Sequence, residues 1–216
     1  PSNLTPGEFQ HHGVTWLADS SAIVTSAQRH DTWDLDFADD LYLVPLQGEI
    51  TALTPHSGIY SGASAAPSGN AIAFLGYDDQ STYPQNVHVG LTDSTGTAHR
   101  WLSKGLDRTF EPTAGAQPPQ WLNDTTLLAT AEDRGQTHLM SVSLDGGAPV
   151  ALTTGAITVK SFDHAAGTIA FVAGSVDQLS DLFVLTDGTP HRLTSFAAQY
   201  SSTVQPLTWE RFAVPC

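Results

Sequence analysis

The stretch "AEDRGQTHLMSVSLDGGAPVALT", Ala131–Thr153, decides the fold. It reads as a strand end, a turn at Arg134-Gly135, a strand, a turn at Asp145-Gly146-Gly147, and a short strand closing on Leu152-Thr153. Asp-Gly and Gly-Gly between apolar runs are the strongest short hairpin signals, because a tight two-residue turn needs positive φ.

The second half of this unit recurs. "DLYLVPLQGEITALT" (Asp40–Thr54), "NVHVGLTDSTGTAHRWLS" (Asn86–Ser103) and "DLFVLTDGTPHRLT" (Asp181–Thr194) each hold an apolar strand, a Gly-bearing turn and a strand closing on Leu-Thr or Leu102-Ser103. A further hairpin precedes each copy, as in "ASAAPSGNAIAFLGYDD" (Ala63–Asp79) and "VKSFDHAAGTIAFVAG" (Val159–Gly174). The runs "AIAFLG", "LLATA" and "IAFVAG" are apolar on both strand faces, which predicts burial on both sides.

The closing residues Leu53, Leu102, Leu152 and Leu193 are spaced by 49, 50 and 41 residues. Four antiparallel strands every 40–50 residues is the pattern of a β-propeller blade. The expected fold is therefore all-β, with about four blade-like four-stranded meanders at about 9–55, 60–103, 117–154 and 157–195. Residues 196–216 read as a connector or the opening strand of another unit, and the array reads as part of a larger propeller of about seven blades. No segment carries a long helical period; Leu102–Pro112 and Ala197–Ser202 are predicted as loops or single turns. Stacked repeats bury their faces only against neighbours, so an isolated array of four either closes on itself or covers its flanks by self-association.

Composition bounds the function. The 216 residues are 40% hydrophobic and 14% charged, as in a globular chain, and the net charge of −14 argues against a nucleic-acid binder and against a partner of anionic membranes. Cys216 is the single cysteine, so neither an internal disulfide nor a cysteine zinc site is available. No apolar run has the length of a membrane span, and "PSNLTPGEFQ" lacks the regions of a signal peptide.

Further phrases carry a resemblance. "WLADSSAIV" (Trp16–Val24), "APSGNAIAFLGYDD" (Ala66–Asp79), "AEDRGQTHL" (Ala131–Leu139), "SLDGGAPVALT" (Ser143–Thr153) and "GTIAFVAGS" (Gly167–Ser175) resemble, in content and order, the propeller half of prolyl oligopeptidase-family (S9) serine peptidases, in the acylaminoacyl-peptidase-like branch. TolB-type propellers share several of these phrases. The resemblance implies a non-catalytic, N-terminal domain fragment with WD40-like repeats, gating short or N-acylated peptides to a C-terminal α/β-hydrolase domain of the same parent chain. The alternative it leaves is a TolB-like protein-interaction propeller without enzymatic activity. The implied location is the cytoplasm, or the periplasm or exterior for a TolB-like protein.

The residues exclude catalysis by this chain alone. A nucleophile elbow needs G-x-S-x-G on a strand-to-helix turn, and Gly62-Ala63-Ser64-Ala65-Ala66 lacks the second Gly and falls in a predicted strand. Catalytic residues and cofactors are therefore expected to be none. The densest polar cluster is Glu132-Asp133-Arg134-Gly135 with His138, and Tyr77-Asp78-Asp79 takes the corresponding place in the second repeat. A loop repeated at one place in each blade puts them on one rim, so Glu132, Asp133, Arg134, His138, Tyr77, Asp78 and Asp79 are the substrate-gate candidates, each with an ordinary structural role as its competitor.

No metal site is expected. His11 and His12 are adjacent and point to opposite faces of a strand. The acidic loop "HDTWDLDFADD" (His30–Asp40) has Asp34 and Asp36 in calcium-loop spacing but lacks the glycine and terminal Glu of such a loop, and so reads as a solvated insertion. Trp16, Trp101 and Trp121 are expected in blade-packing core, and Trp33 as the contact residue of the acidic loop.

Overall fold

A computed structural model describes residues 2–205 together with 209, 210, 212 and 214; within the helix, the side chains of residues 197 and 199 are not described. Sixteen strands run in chain order: β1 His11–Trp16, β2 Ala22–Ala27, β3 Asp40–Pro45, β4 Thr51–Ala52, β5 Ile59–Ala65, β6 Ala71–Tyr77, β7 His88–Asp93, β8 Arg100–Trp101, β9 Gln120–Asn123, β10 Thr126–Asp133, β11 Gln136–Ser143, β12 Val150–Ala151, β13 Thr158–Ala165, β14 Thr168–Gly174, β15 Asp181–Thr186 and β16 Thr189–Arg192. They form four antiparallel meanders, β1–β4, β5–β8, β9–β12 and β13–β16, and the last two join into one sheet through a parallel bridge between Thr137 and Thr158. An isolated parallel bridge between Asp39 and Ile59 joins the first two in the same way.

The turn chemistry explains the meanders. Arg134-Gly135, Ala166-Gly167 and Asp187-Gly188 are two-residue turns with φ of 52° and 78°, 48° and 79°, and 50° and 73°. Both central residues are left-handed, the geometry that matches strand twist, and glycine takes the second place without a Cβ penalty. Successive residues of a strand then face different neighbours. In β6, Ile72 and Phe74 join the core between the first and second blades, while Ala73 and Leu75 join the core between the second and third. In β10, Leu127 and Ala129 face the second blade and Leu128 faces the fourth. In the fourth blade, Ile169, Phe171 and Ala173 of β14 are buried, while Ala170 and Val172 are only half-buried on the face away from the third blade.

The first strands of successive blades converge. Ala65 N–H donates to Thr15 Oγ1 (3.3 Å), Trp121 Nε1 to the Ser64 carbonyl (2.9 Å), and Gln120 Nε2 to the Phe162 carbonyl (3.1 Å), which links β1 to β5, β5 to β9 and β9 to β13. No strand pairing or bridge joins the first blade to the fourth among the described residues.

The repeated Leu-Thr ending is a lock. In each blade the closing hydroxyl accepts a backbone N–H of the third strand: Thr54 from Leu41 (3.0 Å), Ser103 from Val89 (2.8 Å), Thr153 from Leu139 (3.0 Å) and Thr194 from Leu182 (2.9 Å). The preceding leucine donates its N–H back to the carbonyl of that same residue, at 2.7 Å for Leu53 and 2.8 Å for Leu102, Leu152 and Leu193. The residues before Leu41, Val89, Leu139 and Leu182 are Asp40, His88, His138 and Asp181. Asp40 and Asp181 accept from the closing hydroxyl directly, at 2.7 Å and 2.8 Å.

Two expectations are corrected. Ala197–Ser202 belongs to a helix, α1 Phe196–Thr203. Its first turn finds an acceptor in the fourth blade's lock, where Asp181 Oδ1 takes the Phe196 N–H at 2.8 Å; a carboxylate at a helix N-terminus satisfies an otherwise orphan donor. Trp16, expected in core, is 53% exposed, because the β1 face that carries it has no neighbouring blade among the described residues. Trp121 is buried between the second and third blades, and Trp101 packs between the first and second.

Candidate functional site

The meander topology puts all four β2–β3-type connections at one end of the molecule: residues 28–39, 78–87, 134–135 and 175–180. The connections between blades, 53–58, 102–119 and 152–157, lie at the same end. Neighbouring loops are tied together. Phe37 N–H donates to Gln80 Oε1 (2.9 Å), Gln80 N–H to the Ser57 carbonyl (3.0 Å), Arg108 Nε to Asp133 Oδ1 (2.7 Å), and Glu132 N–H to the Thr109 carbonyl (2.9 Å). This is the rim on which the sequence candidates were expected.

Two cavities on the rim are lined by sequence candidates. One, of about 510 Å³ at the third blade and its connection to the fourth, is lined by Asp133, Arg134, Gln136, His138, Thr153 and Trp209. The turn geometry turns the Arg134 side chain into solvent, 79% exposed, 3.9 Å from Asp133. His138 is the buried member: it lies in β11, its Nδ1 stands 3.4 Å from Thr153 Oγ1, and burial lowers its pKa below the ordinary histidine value, against a smaller raising by Asp133. The other cavity, of about 520 Å³ between the first and second blades, is lined by Phe37, Ile59, Tyr77, Gln80, Ser81 and Tyr83. Burial, then the charge of Glu111, pushes the Tyr77 hydroxyl pKa up. Phe37 and Tyr83 are 73% and 88% exposed, an aromatic surface with little to cover it.

Asp78 and Asp79 are engaged within the fold. Asp78 accepts from buried Tyr60 Oη (3.1 Å) and Trp101 Nε1 (2.6 Å), with His99 Nε2 at 3.3 Å and Lys104 Nζ at 3.8 Å. It anchors an aromatic group in which Tyr60 meets Phe74 edge-on at 5.9 Å and Phe74 meets Trp101 at 5.3 Å. Asp79 accepts from the Ser81 hydroxyl (2.5 Å), the Ser81 N–H (2.9 Å) and the Thr82 hydroxyl (2.5 Å), and these bonds hold its carboxyl down at about 2. The acidic loop is organised likewise: Asp36 accepts from Thr32 Oγ1 (2.5 Å) and the Ala38 N–H (2.9 Å) and pairs with His30 (2.9 Å). The structure thus gathers Asp133, Arg134 and His138 at one cavity and Tyr77 at another. Sequence reasoning missed Trp209, Phe37, Gln80 and Tyr83.

Ser64 lies in β5, which leads by a turn into β6 and not into a helix. The Ser61–Ser64 segment is a bulge around Gly62 (φ 60°), and the Ser64 carbonyl holds Trp121. This is strand distortion of the inner blade edge, not an elbow.

No protein-family model matches the sequence, and no curated protein matches it. Solved structures do. An acylaminoacyl peptidase from Pyrococcus horikoshii aligns over 89% of this chain and 28% of its own, with a TM-score of 0.70 and 15% identity. The β-propeller domain of the Trilobed protease from Pyrococcus furiosus, described as an open velcro topology, aligns over 89% and 56%, with a TM-score of 0.67 and 15% identity. TolB from Acinetobacter baumannii aligns over 88% and 45%, with a TM-score of 0.60 and 16% identity.

The chain has a β-propeller fold. Its four meanders correspond to part of a larger propeller, and it spans between about a quarter and just over half of the chains it matches. The propellers it resembles are those of S9 peptidases and of TolB.

Proposed function

We propose that this chain is the non-catalytic propeller portion of a serine peptidase of the prolyl oligopeptidase or acylaminoacyl-peptidase type, gating short or N-acylated peptides to a C-terminal α/β-hydrolase domain of the same parent chain. The observation that carries the proposal is the overlay of 89% of the chain on an acylaminoacyl peptidase at a TM-score of 0.70. The rim supports it: Arg134 and Tyr77 line cavities large enough for a few residues of peptide. In this proposal Glu132, Asp133, Arg134, His138, Tyr77, Asp78 and Asp79 form the gate, Arg134 and Tyr77 meeting substrate while Asp78, Asp79 and Asp133 fix the loops. The chain alone hydrolyses no peptide, and the parent works in the cytoplasm. The likeness to TolB favours the second reading, a protein-interaction propeller of the periplasm or exterior without an enzyme.

The reading frame on both sides of the chain in the source DNA tests the choice. A G-x-S-x-G elbow downstream, followed by Asp and then His, is the expected result. A stop codon shortly after residue 216 with no such elbow overturns the peptidase proposal and leaves the interaction propeller.

A further inference from the structure

Asp39 sits where the first blade meets the second. Its N–H donates to the Gly58 carbonyl (3.1 Å) and its carbonyl accepts the Tyr60 N–H (2.8 Å), so the backbone is fixed by the inter-blade bridge. That bridge carries the carboxylate into a third cavity of about 410 Å³, walled by His12 of β1, Ile59 and Ser61 of β5, and Glu111 and Pro118 of the β8–β9 connection. Asp39 is 9% exposed. Its Oδ2 pairs with His12 Nε2 at 3.1 Å, but its Oδ1 is buried with no hydrogen-bond partner. A buried carboxylate oxygen without a donor carries its desolvation cost uncompensated.

We propose that this cavity binds a small organic ammonium ion, a primary amine bearing an apolar group, whose N–H donors engage Asp39 Oδ1 while its carbon skeleton lies on Ile59 and Pro118. An ammonium group supplies three donors and no acceptor, which suits a buried carboxylate oxygen without a donor in a cavity that Glu111 also lines. The volume is that of a small-molecule site, and the net charge of −14 concentrates cations around the chain. A bare divalent cation fits less well: it needs several oxygen or nitrogen ligands, and no three His, Cys, Asp or Glu side chains gather to hold one among the described residues. The inference does not depend on the peptidase reading.

Calorimetric titration of the 216-residue chain with benzylamine, and with benzyl alcohol as the uncharged match, tests it. The expected result is binding of the amine and none of the alcohol, with affinity at least about tenfold weaker in Asp39→Asn. Burial pushes the Asp39 carboxyl up to about 6, opposed by His12. The groups facing it are His12 on β1, His30 in the acidic loop, Asp40 at the start of β3 and Glu111 on the connection. Benzylamine stays cationic throughout, while acid neutralises Asp39, so binding to the unmodified chain weakens about tenfold between pH 8 and pH 5. Equal binding of amine and alcohol, an affinity unchanged by pH, or a folded Asp39→Asn chain that binds as before overturns the proposal. Displacement of the amine by calcium assigns the cavity to a metal and overturns it too. If Asp39→Asn fails to fold, the alcohol and pH comparisons decide alone.

Discussion

The blade lock makes unequal demands on its four hydroxyls, and Thr54→Val separates them. Thr54 Oγ1 accepts the buried Leu41 N–H at 3.0 Å and donates to Asp40 Oδ1 at 2.7 Å, and the Asp40 side chain is fully buried. Valine keeps the shape and removes both bonds. A hydrogen bond to a charged group is worth about 1.5–3 kcal/mol, and a stranded buried donor costs about 1–3 kcal/mol. The remaining Asp40 contact, His56 Nδ1 at 2.6 Å, holds only the other oxygen. The loss should be about 3–4 kcal/mol, a shift of about 1–2 M in the urea midpoint for a chain of this size. Ser103→Ala in the second blade strands only the Val89 N–H, since His88 takes no bond from that hydroxyl, and should lose about 1–2 kcal/mol. Urea unfolding followed by tryptophan fluorescence reads both. A Thr54→Val midpoint within about 0.3 M of the parent, or an equal loss in Ser103→Ala, would refute the assignment of the difference to the buried carboxylate.

Gly90→Ala should destabilise by about 2–3 kcal/mol without any backbone strain, since a Cβ there would sit 2.2 Å from Phe74 Cζ in the core between the first two blades; thermal unfolding checks it, and a melting point unchanged within 1–2 °C would show that the Phe74 ring gives way. Asp39 predicts a pH dependence of definite sign: its folded value of about 6 lies above the ordinary carboxylate value of 3.8, so its contribution is fully present below about pH 4 and lost as pH rises through about 6. Asp39→Asn should therefore match the parent near pH 4 and exceed it by up to about 3 kcal/mol at pH 8, read by urea unfolding at both pH values; equality at pH 8 would refute it.

The fold was legible because its signals are local. Gly-bearing turns set the hairpins, and apolar runs marked the strands that pack on two neighbours. The closing Leu-Thr pair was legible as a repeat mark but not as a lock. Its hydroxyl bonds a backbone N–H 12–14 residues upstream, and the residue before that N–H is aspartate in the first and fourth blades and histidine in the second and third. No constant pair of side chains repeats, so only the geometry reveals the role. Helix α1 was invisible for a different reason. At eight residues it is too short to show a period, and its first turn is satisfied by Asp181, a residue of another element.

The candidate sites show the same division more sharply. The acidic loop offers Asp31, Asp34, Asp36, Asp39 and Asp40 within ten residues, and nothing in their spacing ranks them. Folding assigns three of them different tasks. Asp36 organises its own loop, Asp40 is consumed by the blade lock, and Asp39 is carried by the inter-blade bridge into a cavity with one oxygen left without a donor. The same holds in the second blade, where Tyr77, Asp78 and Asp79 are consecutive yet face a cavity, an aromatic core and a loop hydroxyl respectively. Neighbours along a strand point to opposite faces, and a residue just beyond the strand belongs to neither. A polar cluster in sequence therefore names the region where chemistry is concentrated. Which of its members remains available to a ligand is decided by the contacts that folding has already used up.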